Sequence, residues 1–301
     1  MSFSSDIKIE LANKKNLKNK KEVYFELLGY LCTKNSKIVE NKSIKYSTES
    51  EYNINRFAKL LNNININKYK IDYNNKSFTI KSSKTSENEI LEDFNPYIIT
   101  IKSEYEKQIK NEDDAKKLEL DRQIICGAFL GAGSINDPNK SYHLEILFNN
   151  LENLKIVYEI LERNDIRSKV IEDLNTIYIK DGENISNFLA FIGANTYMLK
   201  FEEVRVIKEV NNNINRIANC QTANIDKSLD ASAKQLAIIN DIRKKKLFND
   251  LPDSLKEIIL LREEHPEVSL EELGRLLSKP IGKSSVSHRF KKIEEFLKEN
   301  K

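Results

Sequence analysis

Residues 120–132 read LDRQIICGAFLGA, with Ile124, Ile125, Phe129 and Leu130 at helical spacing. Periodic apolar positions of this kind mark a buried or half-buried helix. Gly127, Gly131 and Gly133 cluster toward its end. Glycine inside a helix costs about 1 kcal/mol against alanine, so such a cluster implies close backbone packing against a partner helix. The partner is residues 21–34, KEVYFELLGYLCTK, where Val23, Leu27, Leu28 and Leu31 share the spacing and Gly29 lies 98 residues before Gly127.

The two helices head matching successions of elements. After the first come alternating strands over Lys37 to Thr48, a helix over Tyr52 to Ile64, and a hairpin from Tyr69 to Tyr73 into Ser77 to Lys81, turning at Asn74-Asn75. After the second come a turn at Asp137 to Lys140, a strand over Tyr142 to Ile146 and a helix over Leu151 to Arg163. Strands at Ser168 to Glu172 and Thr176 to Lys180 and a helix to about Ile192 complete it. The order αββαββα occurs twice, and an internal repeat fixes architecture before any other signal.

Paired glycine-bearing helices heading duplicated αββαββα units resemble the LAGLIDADG homing-endonuclease fold. Three segments, GAFLGAGS at 127–134, SYHLEI at 141–146 and NRIANCQTAN at 215–224, are similar to the bacterial WhiA family of sporulation and cell-division regulators. The resemblance spans nearly the whole chain, although Asn35 stands where a glycine is usual. It implies an α+β N-terminal domain, a C-terminal helix-turn-helix that binds double-stranded DNA, and roles in sporulation, cell division or chromosome segregation. Cleavage in that fold needs metal-holding acids at the ends of the paired helices, which neutralise phosphate and activate water. The corresponding positions are Cys32 and Lys34 in the first repeat and Leu130 and Ala132 in the second. None is a carboxylate, and hard cations require oxygen ligands. The expectation is a binding protein without nuclease activity. A nuclease using the displaced Asp121, Asp137 and Glu145 and a protein-binding scaffold of the division apparatus stand as alternatives. Asp121 reads more simply as an acid near a helix start, Asp137 as a turn residue, and Glu145 and His143 as an outward strand face.

Composition sets the frame. The chain has 301 residues, 32% of them charged and 40% hydrophobic, with a net charge of +3, so any nucleic-acid surface must be local. No run is long or apolar enough for a signal peptide or membrane span, so a cytoplasmic, nucleoid-associated protein without membrane contact is expected. Cys32, Cys126 and Cys220 are far apart and read as reduced structural thiols. The three histidines are equally scattered, so no metal or cofactor is expected. Lys14, Lys15, Lys18, Lys20 and Lys21 form a basic run that reads chiefly as solvated surface.

The division expected is an N-terminal segment over 1–20, the LAGLIDADG-like domain over 21–200, a partly helical linker over 201–245 and a helix-turn-helix domain over 246–301. The amides of Asn215 to Asn224 are read first as satisfying backbone groups at a domain junction, with DNA or partner binding as the alternative. In the last domain, Asp253 to Arg262 is a helix with Leu255, Ile258 and Ile259 inward. Ser269 to Glu272 is a capping box, and a turn runs through Pro280 to Gly282. Val286, Phe290, Ile293 and Leu297 then recur at spacings of 4, 3 and 4. Residues 252–278 carry three basic side chains against seven acidic, and 279–301 seven against three, which turns the final helix toward phosphate. The DNA-binding candidates are Lys283, Ser284, Ser285, Ser287, His288, Arg289, Lys291 and Lys292. The serines and His288 are placed for base edges, and Arg289, Lys291 and Lys292 for phosphates. Other transcription or division proteins are candidate partners.

Overall fold

The computed structural model describes residues 2–15, 17–39, 43–83 and 102–300. The chain divides into two compact units, Met1–Lys208 and Glu209–Lys301.

The first unit holds both repeats. In chain order these are α2 (Lys20–Leu31), β1 (Ser36–Val39), β2 (Ser43–Thr48), α3 (Glu51–Asn63), β3 (Tyr69–Asn74), β4 (Ser77–Ser82) and α4 (Lys102–Ile109). The second repeat runs α5 (Asp114–Ala132), β5 (Gly133–Ile135), β6 (Leu144–Leu147), α6 (Leu151–Arg163), β7 (Lys169–Ile171), β8 (Thr176–Ile179) and α7 (Gly182–Phe191). Each repeat forms one antiparallel four-stranded sheet, ordered β1-β2-β4-β3 and β5-β6-β8-β7, so the duplication holds strand for strand. The inward faces, with Ile44, Tyr46 and Ile80 in one and Leu144, Ile146 and Ile177 in the other, join a single core with α2 and α5.

The glycines explain why α2 and α5 pair. A Cβ on Gly127 would lie 2.0 Å from the Glu26 carbonyl oxygen, and one on Gly29 would lie 2.2 Å from that of Ile124. Only hydrogen fits at this crossing. Glu26, on α2 beside it, is 1% exposed and is held by the Arg56 guanidinium of α3 through Nε at 2.8 Å and Nη2 at 2.6 Å. The remaining Nη1 donates to the Lys14 carbonyl at 2.6 Å, so the buried charges are paired and bonded as burial demands.

Several details differ from the sequence expectation. The segment before residue 20 contains a helix, α1 (Phe3–Ala12), capped by Ser2 and buried through Ile7 and Leu11. The hairpin turn is Asn75-Lys76, both with positive φ, because Asn74 still pairs with Ser77. Residues 40–42, between β1 and β2, lie outside the described residues. β5 starts directly at the end of α5, a strand too short to show alternation. Residues 201–244, read as partly helical, belong wholly to α8 (Asn195–Lys244), which contains neither proline nor glycine. Cys32 and Cys126 are buried, and burial pushes the Cys126 thiol up to about 12; Cys220 is exposed on α8, so it is not a packing thiol.

The second unit continues from α8 into α9 (Asp253–Glu264), α10 (Leu270–Leu276) and α11 (Lys283–Glu299). Ile239 and Ile242 of α8 share its core with Leu255, Ile258, Ile259, Leu273, Val286, Phe290 and Ile293. Among the described residues no helix is long and apolar enough to cross a membrane.

Candidate nucleic-acid interface

The ends of the central helices in the first unit, where nuclease acids would project, are occupied otherwise. Cys32 and Leu130 are fully buried, Ala132 nearly so, and Lys34 is exposed. The carbonyl groups at these ends are met by amide donors. The Asn149 side chain donates to the Leu31 carbonyl at 2.8 Å, Asn53 to Leu130 at 2.8 Å and Asn35 to Gly131 at 2.9 Å. An N–H aimed at a helix C-terminus answers the partial negative charge that would otherwise favour a cation there. Among the described residues no three His, Cys, Asp or Glu side chains are grouped to hold a metal ion. Asp121 is committed to Arg163, whose Nε donates to it at 2.8 Å, and Glu145 accepts from Ser134 at 3.1 Å. Of the N-terminal lysines, Lys14 donates to the Ile192 carbonyl and Lys21 to that of Gln108, while Lys15, Lys18 and Lys20 are exposed.

The second unit presents a different surface. Ser269 accepts from the Glu272 N–H at 3.2 Å while the Glu272 carboxylate accepts from the Ser269 N–H at 2.9 Å, so the capping box starts α10 as its sequence dictates. The next turn is pinned where Ile281 N–H donates to the Gly274 carbonyl at 3.0 Å. A Cβ on Gly274 would approach the Ile281 oxygen to 2.2 Å, so glycine sets the tightness of the turn between α10 and α11. Behind it, the buried Arg262 donates through Nη1 to the Val268 carbonyl at 2.7 Å and the His265 carbonyl at 3.2 Å, fastening the loop that leads into α10. Burial lowers this guanidinium from its ordinary range, yet the carbonyls keep it solvated.

α11 buries Val286, Phe290 and Ile293 and leaves Lys283, Ser284, Ser285, Ser287, His288, Lys291 and Lys292 exposed. Ser284, His288, Lys291 and Lys292 recur at helical spacing on the face opposite that stripe. Lys291 lies 3.9 Å from Glu295 one turn on. Arg289 departs from its expected place among free phosphate ligands. It is half-buried, and its Nη1 donates to the Ser254 carbonyl at 3.1 Å. A groove of about 540 Å³ between the start of α9 and α11 is lined by Ser254, Ser285, His288, Arg289 and Lys292. The contribution of α9 was invisible in the sequence, because Ser254 meets α11 only through tertiary packing. Gly282, the residue before α11, supplies no side-chain cap.

These features can be set beside known proteins. The family model described as the WhiA C-terminal HTH domain matches residues 214–297, and that of the WhiA LAGLIDADG-like domain matches residues 121–211. A relative from Clostridium tetani, named probable cell division protein WhiA, is 34% identical over 99% of this chain and 98% of its own. One of the same name from Thermoanaerobacter sp. (strain X514) is 45% identical over 62% of this chain, a match spanning 59% of that relative's length. The fold is that of full-length WhiA from Thermatoga maritima, with a TM-score of 0.57 at 24% identity and 99% of both chains covered. An N-terminal LAGLIDADG domain of WhiA aligns over 64% of this chain and 92% of its own, with a TM-score of 0.50 at 25% identity. With both domains matched in order and one relative alike from end to end, the chain belongs to the WhiA family.

Proposed function

We propose that the chain is a duplex-DNA-binding transcription regulator of bacterial cell division, with α11 as the helix that enters the major groove. The observation that carries this reading is the composition of the free face of α11. Hydroxyls, an imidazole and two lysine ammonium groups stand together on a helix whose opposite face is fixed in a core. The serines and His288 suit base edges, and Lys283, Lys291 and Lys292 suit phosphates. Arg289, tied to Ser254, acts by fixing α11 against α9 as well as by adding positive potential to the groove. The relatives' name supports a place in cell division. Roles in sporulation and chromosome segregation, partners among transcription or division proteins, and a location at the nucleoid in the bacterial cytoplasm follow from the family resemblance.

The LAGLIDADG-like unit serves as a folded partner domain and not as a nuclease. Leu130 and Ala132 offer no metal ligand, and amide donors close the helix ends where the acids would stand. Purified protein is expected to leave duplex DNA uncut with Mg²⁺ or Mn²⁺, and cleavage abolished by EDTA would overturn this. The test of the interface is K291A/K292A in the full chain. Affinity for all duplexes should fall and the salt slope should shrink by about one unit per lost phosphate contact. An unchanged slope would remove α11 from the DNA-facing surface.

A further inference from the structure

Residues 211–224 of α8 read NNNINRIANCQTAN, six asparagines in one helical segment whose only charged side chain is Arg216. Every residue in it is exposed. Among the described residues, its side-chain hydrogen bonds are Thr222 to the Ala218 carbonyl and Asn224 to the Cys220 sulfur. The amides of Asn211, Asn212, Asn213, Asn215 and Asn219 bond no described protein group. The junction role expected of Asn215 to Asn224 is therefore not what the fold uses them for, since the helix satisfies its own backbone.

Such a segment is costly to keep. Asparagine is a poor helix former because its amide competes for nearby backbone groups, and this stretch has no oppositely charged pair one turn apart to offset that. Its pattern is nevertheless ordered. Asn212, Asn215, Asn219 and Thr222, with Arg216 beside them, follow helical spacing along one face. Val210, Ile214, Ile217 and Ile225 lie on the other side. A protein that bound through apolar contact would use the second face, and an acidic protein would call for more than Arg216; on a duplex the phosphate contacts would fall to the lysines of α11, leaving base edges to this face. A row of neutral carboxamides matches the edge of adenine, which offers one acceptor and one donor that an asparagine amide meets together. From Asn212 to Thr222 the face is about 15 Å long, the rise of some four to five base pairs. The segment lies in the same compact unit as α11.

We propose that this face of α8 is a second DNA-reading surface, taking adenine-bearing base edges through Asn212, Asn215 and Asn219. The inference rests on the DNA-binding reading of the second unit and adds a second half to its recognition element.

The experiment selects bound sequences from a pool of randomised duplexes with the full chain, its N215A/N219A variant and its K291A/K292A variant. Alanine strengthens the helix, and an unchanged far-UV circular dichroism spectrum would show that α8 persists. The unmodified chain should select a two-part element with adenines in one part. N215A/N219A should keep the other part and the salt slope while losing the adenine preference by about tenfold or more. N215Q, which keeps a carboxamide, should restore more of that preference than N215A does. If N215A/N219A selects the full element undiminished, or the unmodified chain selects no adenine-bearing part, the inference fails. Loss of binding in K291A/K292A alone would leave the α11 reading standing without it, and indifference of both variants would remove both readings.

Discussion

The crossing of α2 and α5 and the free face of α11 are both helix surfaces rich in small and polar residues, yet they treat those residues oppositely. At the crossing most of them are consumed internally. Glycines 29 and 127 admit the partner backbone, Glu26 is held by Arg56, and asparagine amides close the helix ends. On α11 the hydroxyls of Ser284, Ser285 and Ser287 and the ammonium of Lys292 bond no other group among the described residues. Polar groups satisfied in place stabilise a fold, whereas polar groups left to water are available to a partner. The LAGLIDADG-like unit thus has the ends of its central helices met by its own amides, while the second unit carries polar groups that its own fold leaves to solvent.

The largest effect should come from closing the crossing too far. Gly127→Ala would put a methyl group 2.0 Å from the Glu26 oxygen, and neither backbone can yield without moving its helix. A loss of about 3–5 kcal/mol is expected in the first unit, at the upper end for a single substitution. Urea titration of the full chain by circular dichroism would show it as an early transition, with the second unit unfolding where it does in the unmodified chain. A single shifted transition would instead show that the units unfold together.

Arg56→Met is next. It leaves Glu26 buried without its guanidinium, and breaking a buried pair from one side costs about 3 kcal/mol. Because the buried carboxylate is the cause, E26Q/R56M should recover part of the loss, and a double-mutant cycle in urea measures that recovery. Additive losses would show the pair to be incidental.

Much of this was legible in residue spacing. The repeat was readable because Gly29 and Gly127 mark both central helices, and the hairpin because strand alternation brackets an asparagine turn. The stripe of Val286, Phe290 and Ile293 likewise placed α11 and its free face. What escaped depends on tertiary context. α1 has only a few inward side chains and is stabilised by what it packs against. The middle of α8 is so rich in asparagine that propensity argues for a linker, although the absence of proline and glycine allowed a continuous helix. Arg289 lies on the helix beside the free face, and nothing local shows that the Ser254 carbonyl engages it.

The smallest effect concerns the capping box at the start of α10. Ser269→Ala removes the acceptor for the Glu272 N–H, and loss of such a cap costs about 1 kcal/mol. The reciprocal half of the box makes this dependent on pH. The Ser269 backbone and side chain hold the Glu272 carboxyl below its ordinary value of 4.5. A carboxyl lowered by folding contributes stability that is complete above its unfolded value and is lost as pH falls through the folded one. The difference between Ser269→Ala and the unmodified chain should therefore be largest near neutrality and shrink below about pH 4.5, as Glu272 takes up its proton. Melting curves of the second unit's transition between neutral and acid pH would measure it. A difference that stays constant across that range would mean that the serine hydroxyl does not help to hold the Glu272 carboxylate, whose bond from the residue 269 N–H survives the substitution.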